Sequence, residues 1–346
     1  MVKKMDVLVD LQFGSTGKGA LAGYLAAKNN YEAVVSCNMP NAGHTAYAPD
    51  TDQVFMHKVL PSGIFSPVMQ YVGVGPGAVF DLNRLEEEWK DVCEYRKGLT
   101  LVIHDTAGIL LPEHKEAEQK TLSRISSTMQ GSAEALVSKI RREEGATAKY
   151  RASEIEERMN EYGKCRVVAQ PIWLGVFNGR NMLIEGSQGY SLSISAGFYP
   201  YCTSRDCTPA RVIADCSMPI GWVRNVYGSS RVHPIRVGNT PDGYSGDWYP
   251  DQQETSFKEL GVEEELTTVT KRVRRIATFS EMQIYEAMQM TNPYSVFLNF
   301  YQYDDKAAEN AHRAINDAAR NIGCGGVGFI GLGPRPSDIK EVYYGR

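Results

Sequence analysis

The stretch Asp6-Val-Leu-Val-Asp10-Leu-Gln12-Phe-Gly14-Ser15-Thr16-Gly17-Lys18-Gly19 decides the reading of this chain. Its apolar run, Asp6–Asp10, predicts a buried strand, and the glycines that follow predict a tight turn. Ala20-Leu-Ala-Gly-Tyr-Leu-Ala-Ala27 then predicts a helix. Strand, glycine turn with lysine and helix together make a phosphate cradle: backbone N–H groups and the positive helix end receive an anion, and the lysine neutralises it. The P-loop pattern itself fails twice, because Gln12 replaces the first glycine and Gly19 the Ser or Thr. The phosphate site is therefore of another type.

Outward from this turn, further apolar runs predict strands at Ala33–Cys37, Gln70–Val74, Thr100–His104, Val167–Ala169, Asn181–Glu185, Asn225–Tyr227 and Tyr294–Phe300, with helical stretches between several of them. That alternation predicts an α/β fold, a mainly parallel central sheet covered by helices. The spacing of Ala308, Ala311, Ile315, Ala318 and Ile322 predicts a helix over Asp305–Ile322. Gly238–Gly261 is rich in Pro, Gly, Asp and Tyr and reads as a surface excursion. Residues 1–346 are expected to form a single domain.

Charge and composition exclude several classes. A net charge of −4 gives no general attraction to nucleic acid or anionic lipid. No apolar run is long enough to span a bilayer, and Met1–Asp6 lead into the first strand without a leader-like apolar stretch, so a cytoplasmic protein is expected. The seven cysteines are odd in number and lack Cys-x-x-Cys, which predicts scattered reduced thiols and no zinc site.

Other glycine-rich loops follow predicted strands. Asn38-Met-Pro-Asn41-Ala-Gly43-His44-Thr45 follows Ala33–Cys37, and Glu185-Gly-Ser-Gln188-Gly189 ends another strand. In an open α/β sheet, loops at the carboxyl ends of strands face one crevice, which would bring Lys18 and His44 together. His44 could cap a turn or donate a hydrogen bond to a transferring phosphoryl group. Gln188 and Thr203, the latter in Tyr199-Pro-Tyr-Cys-Thr-Ser204, suit either turn chemistry or recognition of a polar base or a phosphate oxygen. Thr267-Thr-Val-Thr270-Lys-Arg272-Val-Arg274-Arg275 reads as a solvated charged face, a nucleic-acid patch or a carboxylate clamp; the first two leave the threonines unexplained, whereas guanidinium forks bind carboxylates through paired hydrogen bonds. Gly323-Cys-Gly325-Gly326-Val-Gly328 matches G-x-G-x-x-G, but only 18 residues follow Gly328, too few for the βαβ unit of a dinucleotide site. Gly331-Leu-Gly333-Pro334-Arg335 reads as a rigid turn able to pack on a flat ligand.

In this order, the Gly-x-x-Gly-Lys-Gly loop, Asn-Ala-Gly-His-Thr, Leu60-Pro-Ser-Gly-Ile64, Glu-Gly-x-Gln-Gly, Tyr-Pro-x-x-Thr-Ser, the Thr/Arg loop and the terminal Gly-Pro resemble adenylosuccinate synthetase over most of the chain. That family joins aspartate to C6 of a purine nucleotide: the 6-oxygen takes the γ-phosphoryl group of a nucleoside triphosphate, and the aspartate amine then displaces phosphate. The resemblance implies that Gly14, Ser15, Thr16, Gly17, Lys18 and Gly19 hold the transferring phosphate, with His44 and Thr45 beside it. It implies Mg²⁺ held with help from the Gly43 carbonyl and the residue at position 15. It assigns Asn41, Ser127, Thr128, Gln188 and Thr203 to the purine nucleotide, and Thr270, Arg272 and Arg274 to the aspartate carboxylates. Gln302, Gly333 and Pro334 fall to the triphosphate's base. Arg142, fourteen residues after Thr128, falls where the family reaches across a homodimer interface to the nucleotide phosphate.

Two departures matter. The family places an aspartate, which removes the purine N1 proton and contributes to the metal site, where this chain has Ser15. A hydroxyl is a weaker base and a poorer ligand for a hard cation. The shorter side chain leaves room for a 2-amino group, and a bacteriophage branch of the family with the same replacement acts on dGMP to make the precursor of 2-aminoadenine. The resemblance therefore implies dGMP and L-aspartate as substrates, in the host cytoplasm, with IMP as the alternative to dGMP. Water, a phosphate oxygen or Ser15 as a relay remain open as N1 proton acceptors. Family members using GTP carry Lys-x-Asp where this chain has Phe300-Tyr301-Gln302. An amide cannot supply a carboxylate's two acceptors to guanine but can offer adenine one donor and one acceptor, so ATP or dATP is expected.

Overall fold

The fold is seen in a computed structural model that describes residues 4–48, 51, 53–241, 243–267 and 271–342. Ten strands of one sheet collect segments from both ends of that range: β1 (Met5–Asp10), β2 (Ala33–Ser36), β3 (Tyr71–Val74), β4 (Thr100–His104), β5 (Lys164–Val168), β6 (Met182–Glu185), β7 (Val223–Arg231), β8 (Ser295–Asn299), β9 (Val327–Gly331) and β10 (Ile339–Glu341). Their order across the sheet is β10-β9-β8-β7-β1-β6-β2-β3-β4-β5. Every pairing is parallel except the edge pair β9–β10, which is antiparallel. All eight strands expected from the apolar runs lie in this sheet.

The two-residue period of the strands feeds two cores. Leu8, Val34, Val72 and Leu183 pack on one face with Leu21 and Leu25 of helix Lys18–Asn29 and with Trp89. Val7, Val9, Val35 and Ile184 pack on the other face with Trp173, Ile284 and Ile315. Burial on both faces explains why the strands read as continuous apolar runs. Truncating Leu8, fully buried at the sheet centre, to Ala would cost about 2–5 kcal/mol. Helix Asp305–Ile322 forms over the expected residues: the Asp304 side chain caps it by accepting from the Ala307 amide, and Gly323 closes it at φ 82°.

Strand β9 was not expected, and one expectation is corrected. The glycine-rich C-terminal segment contributes strand β9 before its turn. A Cβ on Gly325 would stand 1.8 Å from the Tyr294 carbonyl oxygen, and one on Gly331 would stand 2.1 Å from Asn299 Oδ1. The glycines that weaken the strand signal are what let β9 approach β8. Gly238–Gly261 is also more than a surface excursion: Ser245 and Tyr249 are buried, and Tyr249 packs edge-on against Phe198 at 5.1 Å. The cysteines are all free thiols, yet two of them meet, with Cys37 and Cys216 Sγ atoms 3.2 Å apart.

Because β1 lies mid-sheet between β6 and β7, the loops leaving β1, β2, β6, β7, β8 and β9 emerge along one edge. That edge is the carboxyl end, where open α/β sheets bind ligands.

Candidate active site

Asp10, fully buried at the end of β1, organises the first loop. Its Oδ1 accepts the amides of Gln12 (2.8 Å) and Gly14 (3.2 Å), and its Oδ2 accepts Thr16 Oγ1 (2.5 Å) and Lys18 Nζ (2.9 Å). Gln12 explains the failed P-loop pattern: its side-chain amide pairs with the Arg231 backbone, donating to the carbonyl at 3.1 Å and accepting from the amide at 2.9 Å. The turn needs left-handed backbone at Gly14, Ser15 and Gly17. Gly17 caps helix Lys18–Asn29 without a side-chain hydrogen bond; the Ala20 amide turns back to the Gly17 carbonyl at 3.1 Å, and the amides of Lys18 and Gly19 at the helix start are the ones suited to an anion.

Two more loops close on this one. Lys18 Nζ also donates to the Gln188 carbonyl at 3.2 Å. A Cβ on Gly189 would lie 2.4 Å from the Gln12 carbonyl oxygen, so only glycine allows the contact. His44 opens a hairpin strand, His44–Tyr47, paired antiparallel with Val54–His57. Burial, then the nearby Lys18 and His57 charges, push its pKa down to about 3, so it is a neutral imidazole near pH 7. Its Nε2 has no hydrogen-bond partner among the described residues. Asn41 Nδ2 reaches Thr203 Oγ1 at 3.5 Å. Behind them Glu185 accepts the Ser62 and Gly63 amides at 2.9 and 2.7 Å, and burial pushes its pKa up to about 7.

The opposite wall is cationic. Arg231, fully buried, forks onto Glu265, donates to the Ser15 carbonyl at 3.2 Å and stacks 3.8 Å over the Phe300 ring. Burial favours the protonated Glu265 carboxyl, but Arg231 overrides it and its pKa is lowered. Arg274 Nη1 donates to Ser15 Oγ at 2.8 Å. The residue that departs from the family pattern is thus tied to the expected carboxylate clamp. With a guanidinium beside it, Ser15 Oγ is a poor metal ligand. The Gly43 carbonyl is a suitable hard donor, and Mg²⁺ characteristically takes its other ligands from phosphates and water. No cluster of three His, Cys, Asp or Glu side chains suited to a metal occurs among the described residues.

These loops enclose a cleft of about 590 Å³. Gly14, Ser15, Gly17, Lys18, Gly19, Asn41, Gly43, His44 and Thr45 line it from the first two loops. Ser127, Thr128, Gln188, Thr203, Arg274, Gln302, Gly333 and Pro334 complete the expected residues found there. The described lining does not include Thr16, Arg142 or Arg272. Thr16 turns its hydroxyl inward to Asp10 and Ser229. Arg142 is exposed at the end of helix Ser132–Arg141. The Arg272 amide donates to Thr267 Oγ1 within its own loop, and Thr270 lies outside the described residues. Motif reading missed Asp10, Arg231, Glu265 and Arg236, a buried cleft-lining residue that donates to the Ser245 and Tyr201 carbonyls, each at 3.0 Å, and stacks 4.5 Å over the Phe13 ring. Only Asp10 left a trace, as a carboxylate closing an apolar strand before a glycine turn.

The sequence profile of adenylosuccinate synthetase matches residues 7–167 and 149–309. The chain belongs to the adenylosuccinate synthetase family. Family membership makes it a ligase that forms a C–N bond. It is 43% identical over 348 residues to N6-succino-2-amino-2′-deoxyadenylate synthase of Vibrio phage phiVC8, covering 98% of each chain. The succinoaminodeoxyadenylate synthetase of cyanophage S-2L, solved with dGMP and with dATP as energy donor, superposes with TM-score 0.88 at 40% identity over 99% of this chain and 96% of that one. Adenylosuccinate synthetase of Plasmodium falciparum shares the fold, with TM-score 0.76 at 18% identity over 98% of this chain and 100% of that one.

Proposed function

We propose that this chain, acting as one catalytic domain, condenses L-aspartate with dGMP at the expense of ATP or dATP. The product would be N6-succinyl-2-amino-2′-deoxyadenylate. One observation carries the reading: a neutral Ser15 hydroxyl, not a carboxylate, faces the cleft beside Lys18, His44 and Gln188. The phage relatives named for that product, one of them holding dGMP and dATP, support it.

In the first step guanine N1 gives its proton to water, a phosphate oxygen or a Ser15 relay as the 6-oxygen attacks the γ-phosphorus, the bond to the β-phosphate oxygen breaks, and the nucleoside diphosphate leaves. Charge on the transferring group would meet the Lys18 ammonium, the neutral His44 N–H and the Lys18 and Gly19 amides at the helix start. Mg²⁺, held by phosphate oxygens with the Gly43 carbonyl, would add charge neutralisation. In the second step the aspartate amine bonds to C6 and phosphate departs with the former 6-oxygen. Arg274 would hold an aspartate carboxylate together with Arg272 and Thr270. Asn41, Ser127, Thr128, Gln188 and Thr203 would hold the nucleotide. Gln302 would pair with adenine, and Gly333 and Pro334 would pack on it. Exposed Arg142 suits a reach into a partner's site in a homodimer, in the cytoplasm of the infected cell.

The test is mass spectrometry of products from ATP, aspartate and an equimolar mixture of IMP, GMP and dGMP. The succinylated 2-aminopurine deoxynucleotide should dominate. Preferential adenylosuccinate formation would reject dGMP as the substrate and favour IMP.

A further inference from the structure

A buried cation outside the family motifs sits where the cleft's loops meet. Arg205, two residues beyond Thr203, is 5% exposed. Its Nη2 donates to the Cys37 carbonyl at 2.5 Å and to Ser187 Oγ at 2.7 Å. Its Nη1 donates to the Gly77 carbonyl and to Asp215 Oδ2, each at 3.1 Å. Cys37 is the root of the loop carrying Asn41, and Ser187 precedes Gln188, whose backbone is left-handed at φ 66°. Asp215 is fixed in turn by Arg211 Nε at 2.8 Å and by the Gly77 amide, which donates to its carbonyl at 2.7 Å. A Cβ on Gly77 would stand 2.4 Å from the Asp215 Cβ, so this junction has no slack.

We infer that Arg205 is the positioning residue of the mononucleotide pocket. One rigid, planar fork sets the mutual spacing of the loops bearing Asn41, Gln188 and Thr203. The inference rests on the assignment of those three residues to the purine nucleotide. A lysine keeps the charge but has a single nitrogen, which cannot span four acceptors on separate segments. The Glu265–Arg274 wall makes none of these bonds, so the pocket for the amino acid is independent of the junction.

The experiment compares wild type with Arg205→Lys, Ser187→Ala and Asp215→Asn, measuring kcat and separate KM values for each substrate. The mononucleotide is whichever of IMP, GMP and dGMP the wild type uses best, so an error in the substrate assignment shows in the wild type alone. Arg205→Lys should raise the mononucleotide KM about tenfold, the scale of a buried acceptor left unsatisfied, and leave the aspartate KM within about twofold. Ser187→Ala, which removes one bond and no charge, should move the mononucleotide KM the same way by about threefold, and it reports even if the lysine variant does not fold. Equal shifts in both KM values, or a lower melting temperature with the mononucleotide KM unchanged, would overturn the inference.

Discussion

Asp10→Asn tests whether the loop is built on a carboxylate. Asp10 and Lys18 form an ion pair at 2.9 Å with side-chain exposures of 0% and 6%, so water cannot replace either partner. The amide can still accept from the Gln12 and Gly14 backbones, but it turns an NH₂ toward Lys18 and Thr16, which are themselves donors. Breaking a buried pair from one side costs about 3–5 kcal/mol. An unfolding entropy of about 2.1 cal/mol/K per residue over 346 residues amounts to ~0.7 kcal/mol/K, so the melting temperature should fall by ~4–7 °C. Turnover should fall as well, because Lys18 loses the contact that holds its ammonium in the cleft. Differential scanning calorimetry and a phosphate-release assay read the two effects. The double variant Asp10→Asn/Lys18→Met should melt above the sum of the single effects, since it removes the stranded charge. A melting temperature within about 1 °C of wild type and normal turnover would refute the argument.

Replacing His44 with Ala should lower kcat at least ~100-fold, the lower end for one transition-state donor, and near-normal turnover removes it from the reaction. Since the folded-state pKa of His44 is depressed to about 3, it stays neutral while its unfolded counterpart protonates below about 6.5. Its contribution to stability is therefore present above pH 6.5 and lost as pH falls toward 3, and His44→Ala should flatten that part of the melting-temperature profile. Ser15→Asp should place a carboxylate against Arg274 and in the space given to the 2-amino group, raising the dGMP KM. Unchanged dGMP kinetics would undo the pocket argument. Gln302→Asp should raise the GTP-to-ATP ratio of kcat/KM by about tenfold, and an unchanged ratio would remove Gln302 from base recognition.

The sheet was legible because its central strands are buried on both faces, which leaves continuous apolar runs. Strand β9 escaped because close approach to β8 requires the glycines that usually signal a turn. In the site, the glycine loops, His44 and Arg274 could be read from local motifs. Arg231, Glu265, Arg236 and Arg205 could not, since each acquires its role from partners distant in sequence: Arg231 meets Ser15 and Glu265, and Arg205 meets Cys37, Gly77 and Ser187.

By itself, the order of residues determined the parallel α/β architecture, the glycine–lysine turn after the first strand and the family, because apolar periodicity and glycine turn chemistry are local properties of a chain. Only the folded molecule decided that the Lys18 ammonium rests on Asp10, that Arg274 grips the Ser15 hydroxyl, and that one guanidinium joins three loops. Those are contacts between ionised or polar groups brought together from different strands, and their strength comes from the exclusion of water at the place where the strands end.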